Sequence, residues 1–193
     1  MRLALFDFDG TISSRDTTSD FIVHSCGRHQ ALLGLIHLSP IFLAYSLKRI
    51  SHHEAKQATI KHYFGDWEKE AFIEAAHRYA RHVVPAIIRP AALNRIRWHL
   101  HRDHIVAVVT GSLEILLEEW CTGLGIDLIA TGVDLGSARI GLSTRNCFKE
   151  EKARRIREKY ALESFDFIYA YGDSPGDREM LAFANKKYYK RFE

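Results

Sequence analysis

Two short acidic clusters each follow an apolar run: Asp7-Phe8-Asp9-Gly10-Thr11 after Leu3 to Phe6, and Gly172-Asp173-Ser174-Pro175-Gly176-Asp177 after Phe167 to Tyr171. At a strand end, the period of two points the carboxylates of Asp7 and Asp9 to the same side. Phosphoryl transfer through a covalent intermediate needs a carboxylate nucleophile and a proton donor for the leaving oxygen, and this spacing can supply both. Gly10 permits a tight turn that leaves backbone amides, including that of Thr11, facing phosphate oxygens. A capping or calcium-like loop is the plainer reading of the same residues. Together with Asp173 and Asp177, the pair makes an oxygen-rich site for a hard cation such as Mg2+. Without a cation, clustered acids repel one another and any anionic substrate. Locally, Asp173 could instead start a turn and Asp177 cap the following helix.

A third apolar run, Ile105 to Val109, leads into Thr110-Gly111-Ser112. This places a hydroxyl and backbone amides at an expected helix N-terminus, an anion-binding arrangement, unless Thr110 or Ser112 is only the N-cap. A side-chain cation is still needed to offset phosphoryl charge. Lys149 and Lys152 are the candidates, and an exposed lysine on a charged helix face is the competing reading of each.

These residues require strands to deliver them to one edge. The three apolar runs lack polar alternation and end in polar or glycine residues, as parallel strands buried on both faces do. Helical stretches follow at Leu113 to Leu124 and Glu150 to Tyr160, which predicts an α/β doubly wound parallel sheet with its site at the carboxyl ends of the strands. Residues 15–85 break this rhythm with helical periodicity and no convincing strand. They are expected to form an inserted helical cap on a core of residues 1–14 and 86–193. Ile129 to Val133, Gly136-Ser137 and Arg139 to Leu142 read as a short antiparallel hairpin.

Composition narrows the class. The chain has 193 residues, 47% of them hydrophobic, and a net charge of +3 spread along its length, which excludes a disordered or fibrous protein and argues against nucleic-acid binding. Cys26, Cys121 and Cys147 form neither a disulfide framework nor a zinc pattern. The apolar run before Asp7 is too short for a signal peptide, so the cytoplasm is the expected location.

In this order, Asp7-Phe8-Asp9-Gly10-Thr11, Val109-Thr110-Gly111-Ser112, Glu151-Lys152 and Gly172-Asp173-Ser174-x-x-Asp177 resemble the four motifs of the haloacid dehalogenase (HAD) superfamily. The insertion between the first two motifs is similar to the branch that contains phosphoserine phosphatase, subfamily IB, with a C1-type helical cap. The resemblance implies a Mg2+-dependent phosphatase. In it Asp7 attacks phosphorus and becomes an aspartyl phosphate, while Asp9 protonates the leaving alcohol and then activates water. It also implies that Asp7, the backbone carbonyl of Asp9 and Asp173 hold Mg2+, that Asp177 orients that cluster, and that Thr110 and Lys152 bind phosphoryl oxygens beside Gly10, Thr11 and Gly111. Lys152 is preferred to Lys149 because Asn146-Cys147-x-x-Glu150-Glu151-Lys152 resembles the third motif of that branch, from which this chain departs at Lys149, where glycine is common. Dehalogenases of the superfamily lack the second acid, so Asp9 favours phosphate esters. A non-catalytic receiver-like module, which also gathers acids and a lysine, is the alternative of another class, but it carries no such helical insertion.

Substrate choice falls to the cap. Asp16 stands where phosphoserine phosphatases carry a glutamate that grips the substrate amine, and it reads equally as the N-cap of the first cap helix. The expected substrate is a small phosphorylated metabolite such as phosphoserine. The stretch Ala31 to Leu47 is very apolar but is broken by Ser39-Pro40, short of the roughly 20 apolar residues of a membrane span. A buried pair of cap helices or a homodimer contact is the preferred reading, and a membrane-surface element the lesser one. The chain also resembles bacterial phosphatidylglycerophosphate phosphatases, which share an apolar cap, so a lipid phosphate is the alternative substrate. Trp98 to His104 is expected to be a solvated helix end rather than a metal cluster, since it precedes the second strand and lies away from the acids.

Overall fold

Leu3, Ala4, Leu5 and Phe6 are all completely buried, and their alternation sorts them onto two different cores. Leu3 and Leu5 pack with Ala107, Val109, Ile156 and Ala170 on one face of the sheet. Ala4 and Phe6 pack with Val106, Val108, Leu116 and Leu117 on the other. A strand covered by helices on both sides has no polar face, which is why this run shows no alternation. Each large apolar side chain so buried contributes roughly 1.5–3 kcal/mol.

The computed structural model describes residues 1–190 and 192. The chain runs β1 (Arg2–Phe6), an irregular turn over Phe8–Ile12, then α1 (Thr17–Cys26), α2 (Arg28–His37), α3 (Ser39–Ser46), α4 (His52–Phe64), α5 (Lys69–His82) and α6 (Val84–Ile87). It continues through α7 (Pro90–Leu100), β2 (Ile105–Leu113), α8 (Glu114–Leu124), β3 (Asp127–Thr131), β4 (Val133–Asp134) and β5 (Gly141–Leu142). Last come α9 (Glu150–Lys159), β6 (Phe167–Gly172), α10 (Arg178–Ala182) and β7 (Lys186–Tyr189). Five strands pair in parallel in the order β3-β2-β1-β6-β7. Phe6 lies level with Val108 on one side and Tyr171 on the other, so the chain leaves β1 beside the carboxyl ends of β2 and β6. The chain that carries α1 to α6 leaves and rejoins beside the sheet at a two-stranded neck, where Ser13 bridges Ile88 and the Arg89 amide donates to the Ile12 carbonyl at 2.8 Å, and α5 and α6 also pack against α8.

Several expectations need correction. The hairpin is confined to β4 and β5; Ile129 to Thr131 belong to β3, because their buried side chains and their pairing with β2 extend the main sheet. The edge strand β7 had no apolar signal, since only Tyr188 of its four residues is buried. The apolar stretch from Ala31 to Leu47 is not a buried helix pair: α3 has no buried residue, and α2 buries only Ala31 and Gly34. Trp98 to His104 is solvated only in part: His101, Arg102 and Asp103 are exposed, but the two histidines that flank them are not. His99 and His104 are buried, linked through their Nδ1 atoms at 2.8 Å, and His99 Nε2 lies 2.9 Å from the Tyr171 hydroxyl. Burial, with His104 and two arginines adding to it, pushes the His99 imidazole down to about 3 and so keeps it neutral.

Candidate active site

Asp7 follows β1 immediately, and its amide donates to the Tyr171 carbonyl at 2.9 Å, so the loop after β1 is stitched to the end of β6. One Asp7 oxygen accepts from Lys152 Nζ at 2.5 Å, and the same ammonium donates to Asp177 at 2.6 Å. All three side chains are nearly inaccessible. Burial pushes the Asp7 carboxyl up to about 7, with Lys152 opposing that rise and Asp177 reinforcing it. For Lys152, burial works against the charge, but Asp7 and Asp177 together hold the ammonium above its ordinary pKa.

Asp177 is fixed from its other side. Its second oxygen accepts from the Asp173 amide at 3.2 Å and from both the amide and hydroxyl of Ser174 at 3.0 Å. It therefore completes a capping box with Ser174 on the turn Pro175–Asp177 and also carries the buried ion pair, but its side chain makes no capping bond to the following helix α10, contrary to the local expectation. Asp173 lies half-buried with its carboxyl raised, chiefly by burial and then by Asp177, and Thr11 Oγ1 stands 3.4 Å from it.

Gly10 closes this corner. It has φ +80°, and an added Cβ would sit 2.3 Å from an Asp173 oxygen, so both conformation and space restrict the position to glycine. The turn that contains it is tied off by the Ser13 amide donating to the Phe8 carbonyl at 2.9 Å.

Asp9 points to a different set of partners. One oxygen accepts from Ser112 Oγ at 2.7 Å and the other from the Thr17 amide at 2.9 Å, the first amide of α1. Burial raises its pKa and Asp16 adds to the rise, while the Ser112 and Thr17 bonds favour the charged form. A carboxyl so poised, at a helix N-terminus, can hold or release a proton.

Thr110 is buried, and its hydroxyl lies 2.8 Å from Ser112 Oγ, so Thr110, Ser112 and Asp9 form a chain of polar contacts. The motif lies on the end of the strand, just ahead of the helix N-terminus. β2 continues through a register shift to Leu113, and α8 begins at Glu114. The bulge keeps Thr110 and Ser112 close enough to bond. Ser112 does more than the capping expected of it, since it holds Asp9; its place two residues from Thr110 on a strand end is the available signal. The carbonyl of Gly111 accepts from Thr131 Oγ1 at 2.9 Å and from Lys56 Nζ, while the Lys56 ammonium also donates to Thr18 Oγ1 at 3.1 Å.

Of the two candidate lysines, Lys152 is at the acids and Lys149 is exposed. Lys149 adopts φ +51°, ψ −120°, a backbone state natural to glycine, and it forms the N-cap of α9. Asp16 is the N-cap of α1, accepting from the Ser19 amide at 2.7 Å, and lies near Asp9 without joining the Asp7 cluster.

Asp7, Asp173 and Asp177 offer oxygens all within 4.8 Å of one another. Lys152 pairs with Asp7 and Asp177, while Asp173 has no salt-bridge partner among the described residues and feels Lys152 and Lys190 only at longer range; three clustered carboxylates in an all-oxygen donor set suit a hard divalent cation.

Known proteins resemble this chain in sequence and in fold. Protein CicA of Caulobacter vibrioides is 31% identical over 194 residues, covering 98% of this chain and 86% of that protein. A solved protein of unknown function from Bordetella pertussis Tohama I has a TM-score of 0.81 at 22% identity, covering 96% of this chain and 88% of that one. A substrate-bound phosphoserine phosphatase has a TM-score of 0.65 at 20% identity, covering 97% and 84%. These two are likenesses of fold. The model of the haloacid dehalogenase-like hydrolases matches residues 4–182, from the middle of β1 to the end of α10, and so spans every acid described above: the chain belongs to that family.

Proposed function

We propose that this hydrolase is a Mg2+-dependent phosphatase that cleaves a phosphomonoester through an aspartyl phosphate on Asp7. The observation that carries the reading is the division of labour between two carboxylates two residues apart: Asp7 is paired with buried Lys152, and Asp9 is held separately by Ser112 and the first amide of α1. An Asp7 oxygen attacks phosphorus as the ester P–O bond breaks, and Asp9 gives its proton to the departing alkoxide. Asp9, now a carboxylate, takes a proton from the water that attacks the acyl phosphate, releasing inorganic phosphate and restoring Asp7. Lys152, the Thr110 hydroxyl and the amides of Gly10, Thr11 and Gly111 are assigned to the phosphoryl oxygens. Asp7, Asp173 and the Asp9 carbonyl would hold Mg2+, with Asp177 orienting them. When bound, the ion offsets the charge of the phosphoryl group and of the acids.

The helices of residues 15–85 are the cap in this reading, and they supply the pocket for the alcohol. A cavity of about 320 Å3 is lined by Asp16 and Lys56 at one end and by Ile22, Ala31, Leu35 and Phe42 beyond. A small metabolite such as phosphoserine would place its ammonium and carboxylate at Asp16 and Lys56. Both are already engaged, Asp16 with Ser19 and Lys56 with Thr18 and Gly111. The apolar lining favours a second reading, a phosphomonoester whose alcohol carries an apolar chain, such as a lipid phosphate.

Hydrolysis of an aryl phosphate with and without Mg2+ tests the reaction, and a panel of phosphoserine, other small phosphomonoesters and phosphatidylglycerophosphate tests the substrate. Turnover is expected to require the metal and to vanish in Asp7→Asn. Turnover that survives this substitution would overturn the mechanism.

A further inference from the structure

Helix α2 is packed the wrong way round for a helix of a water-soluble protein. It meets the protein through its small residues: Ala31 and Gly34 are buried, the Tyr63 hydroxyl donates to the Ala31 carbonyl at 2.6 Å, and a Cβ on Gly34 would lie 2.3 Å from the Tyr63 hydroxyl oxygen. This contact pins the rotation of the helix. Its large residues Leu32 and Ile36 therefore face outward, each more than half exposed, while Leu35, also more than half exposed, stands at the rim of the cavity that Asp16 and Lys56 line. On α3, which buries nothing, Leu43 is likewise more than half exposed, as is Leu47 just beyond it. Exposed apolar groups gathered on two consecutive helices mark a surface that a partner or a membrane can cover.

Charge distinguishes the occupants. From Phe21 to His53 the sequence contains no Asp or Glu, and Arg28, Lys48 and Arg49 are all exposed. Arg28 opens α2 and Lys48-Arg49 follow α3, so the basic residues lie at the two outer ends of an apolar pair joined at Leu38. A two-fold contact with a second copy would bring these like charges toward one another. An anionic bilayer surface complements them, while the leucines enter the boundary between headgroups and acyl chains. Among the described residues no helix is long and apolar enough to cross a membrane, so the element would lie in the interface.

We infer that α2 and α3 form an interfacial docking element for an anionic lipid bilayer. The inference does not depend on the chemistry at Asp7, because it is read by binding alone. It is tested by co-sedimentation of the full chain with phosphatidylcholine vesicles, with and without phosphatidylglycerol, at rising salt. The protein is expected to pellet with the anionic vesicles and to be released as salt increases. At about 1 kcal/mol per basic residue, replacing Lys48 and Arg49 together by Ala lowers the partition coefficient roughly 30-fold. Leu32→Ser combined with Ile36→Ser and Leu43→Ser abolishes pelleting, and an unchanged near-UV circular dichroism spectrum shows that the variant is folded. Absence of vesicle binding by the natural sequence overturns the inference. So does binding that the folded variants retain, or a stable dimer in sedimentation velocity that the leucine variant dissociates while vesicles capture nothing.

Discussion

Lys152→Met tests the electrostatic core of the site. Methionine keeps most of the aliphatic volume of lysine, so the main change is loss of the ammonium that binds Asp7 at 2.5 Å and Asp177 at 2.6 Å. The Lys152 side chain is only 3% exposed, and those of Asp7 and Asp177 are 9% and 1%, so solvent cannot replace it. Removing one partner of a buried ion pair costs about 3–5 kcal/mol, because the other charge is left without compensation. The loss must depend on pH. Burial already pushes the Asp7 carboxyl up to about 7 with Lys152 opposing, and without the lysine it rises further. An acid whose folded pKa is raised favours the folded state below its unfolded pKa, and that contribution is lost as pH climbs through the folded value. In urea unfolding with chelator present, the variant is therefore expected to lose the full amount near pH 8 and much less near pH 5.5, where Asp7 can take a proton. Asp7→Asn added to Lys152→Met should recover on the order of 1 kcal/mol or more at pH 8. A loss below about 1 kcal/mol at both pH values, a loss independent of pH, or no recovery in the double variant would refute this account of the buried pair.

Two other substitutions separate the roles of the acids. Asp9→Asn leaves Asp7 and the other acids in place but removes the proton carrier, so single-turnover experiments are expected to show phosphoryl capture while steady-state turnover falls; unchanged steady-state rates would count against Asp9 as acid and base. Gly10→Ala forces a side chain into φ +80° with its Cβ 2.3 Å from an Asp173 oxygen. It should destabilise by about 1–2 kcal/mol and weaken the Mg2+ dependence of activity, as read by thermal unfolding and a metal titration.

The acids could be found in the sequence because each directly follows a strand whose unbroken apolar run declares it buried on both faces. Asp7, Asp9 and Asp173 are local consequences of where β1 and β6 stop, and parallel strands stop at one edge. The need for a cation pointed to Lys149 or Lys152, and the family resemblance chose Lys152, whose contact with Asp7 spans 145 positions and follows from no local pattern.

What a side chain meets across such distances was decided only by packing. Ser112 holds Asp9 because a bulge in β2 brings Thr110 and Ser112 together under the loop after β1. His99 is buried and held neutral by that burial, with Tyr171, from a strand far along the chain, meeting its Nε2 and His104 its Nδ1. In Ala31 to Leu47, hydrophobicity alone could not say whether protein or another phase covers the helices. The close approach of Gly34 to Tyr63 turned the leucines outward. Apolar periodicity and strand ends are properties of neighbouring residues and were legible in the sequence. Rotation of a helix on its support, and the partner of a buried charge, are set by residues distant in the chain, so only the tertiary structure decided them.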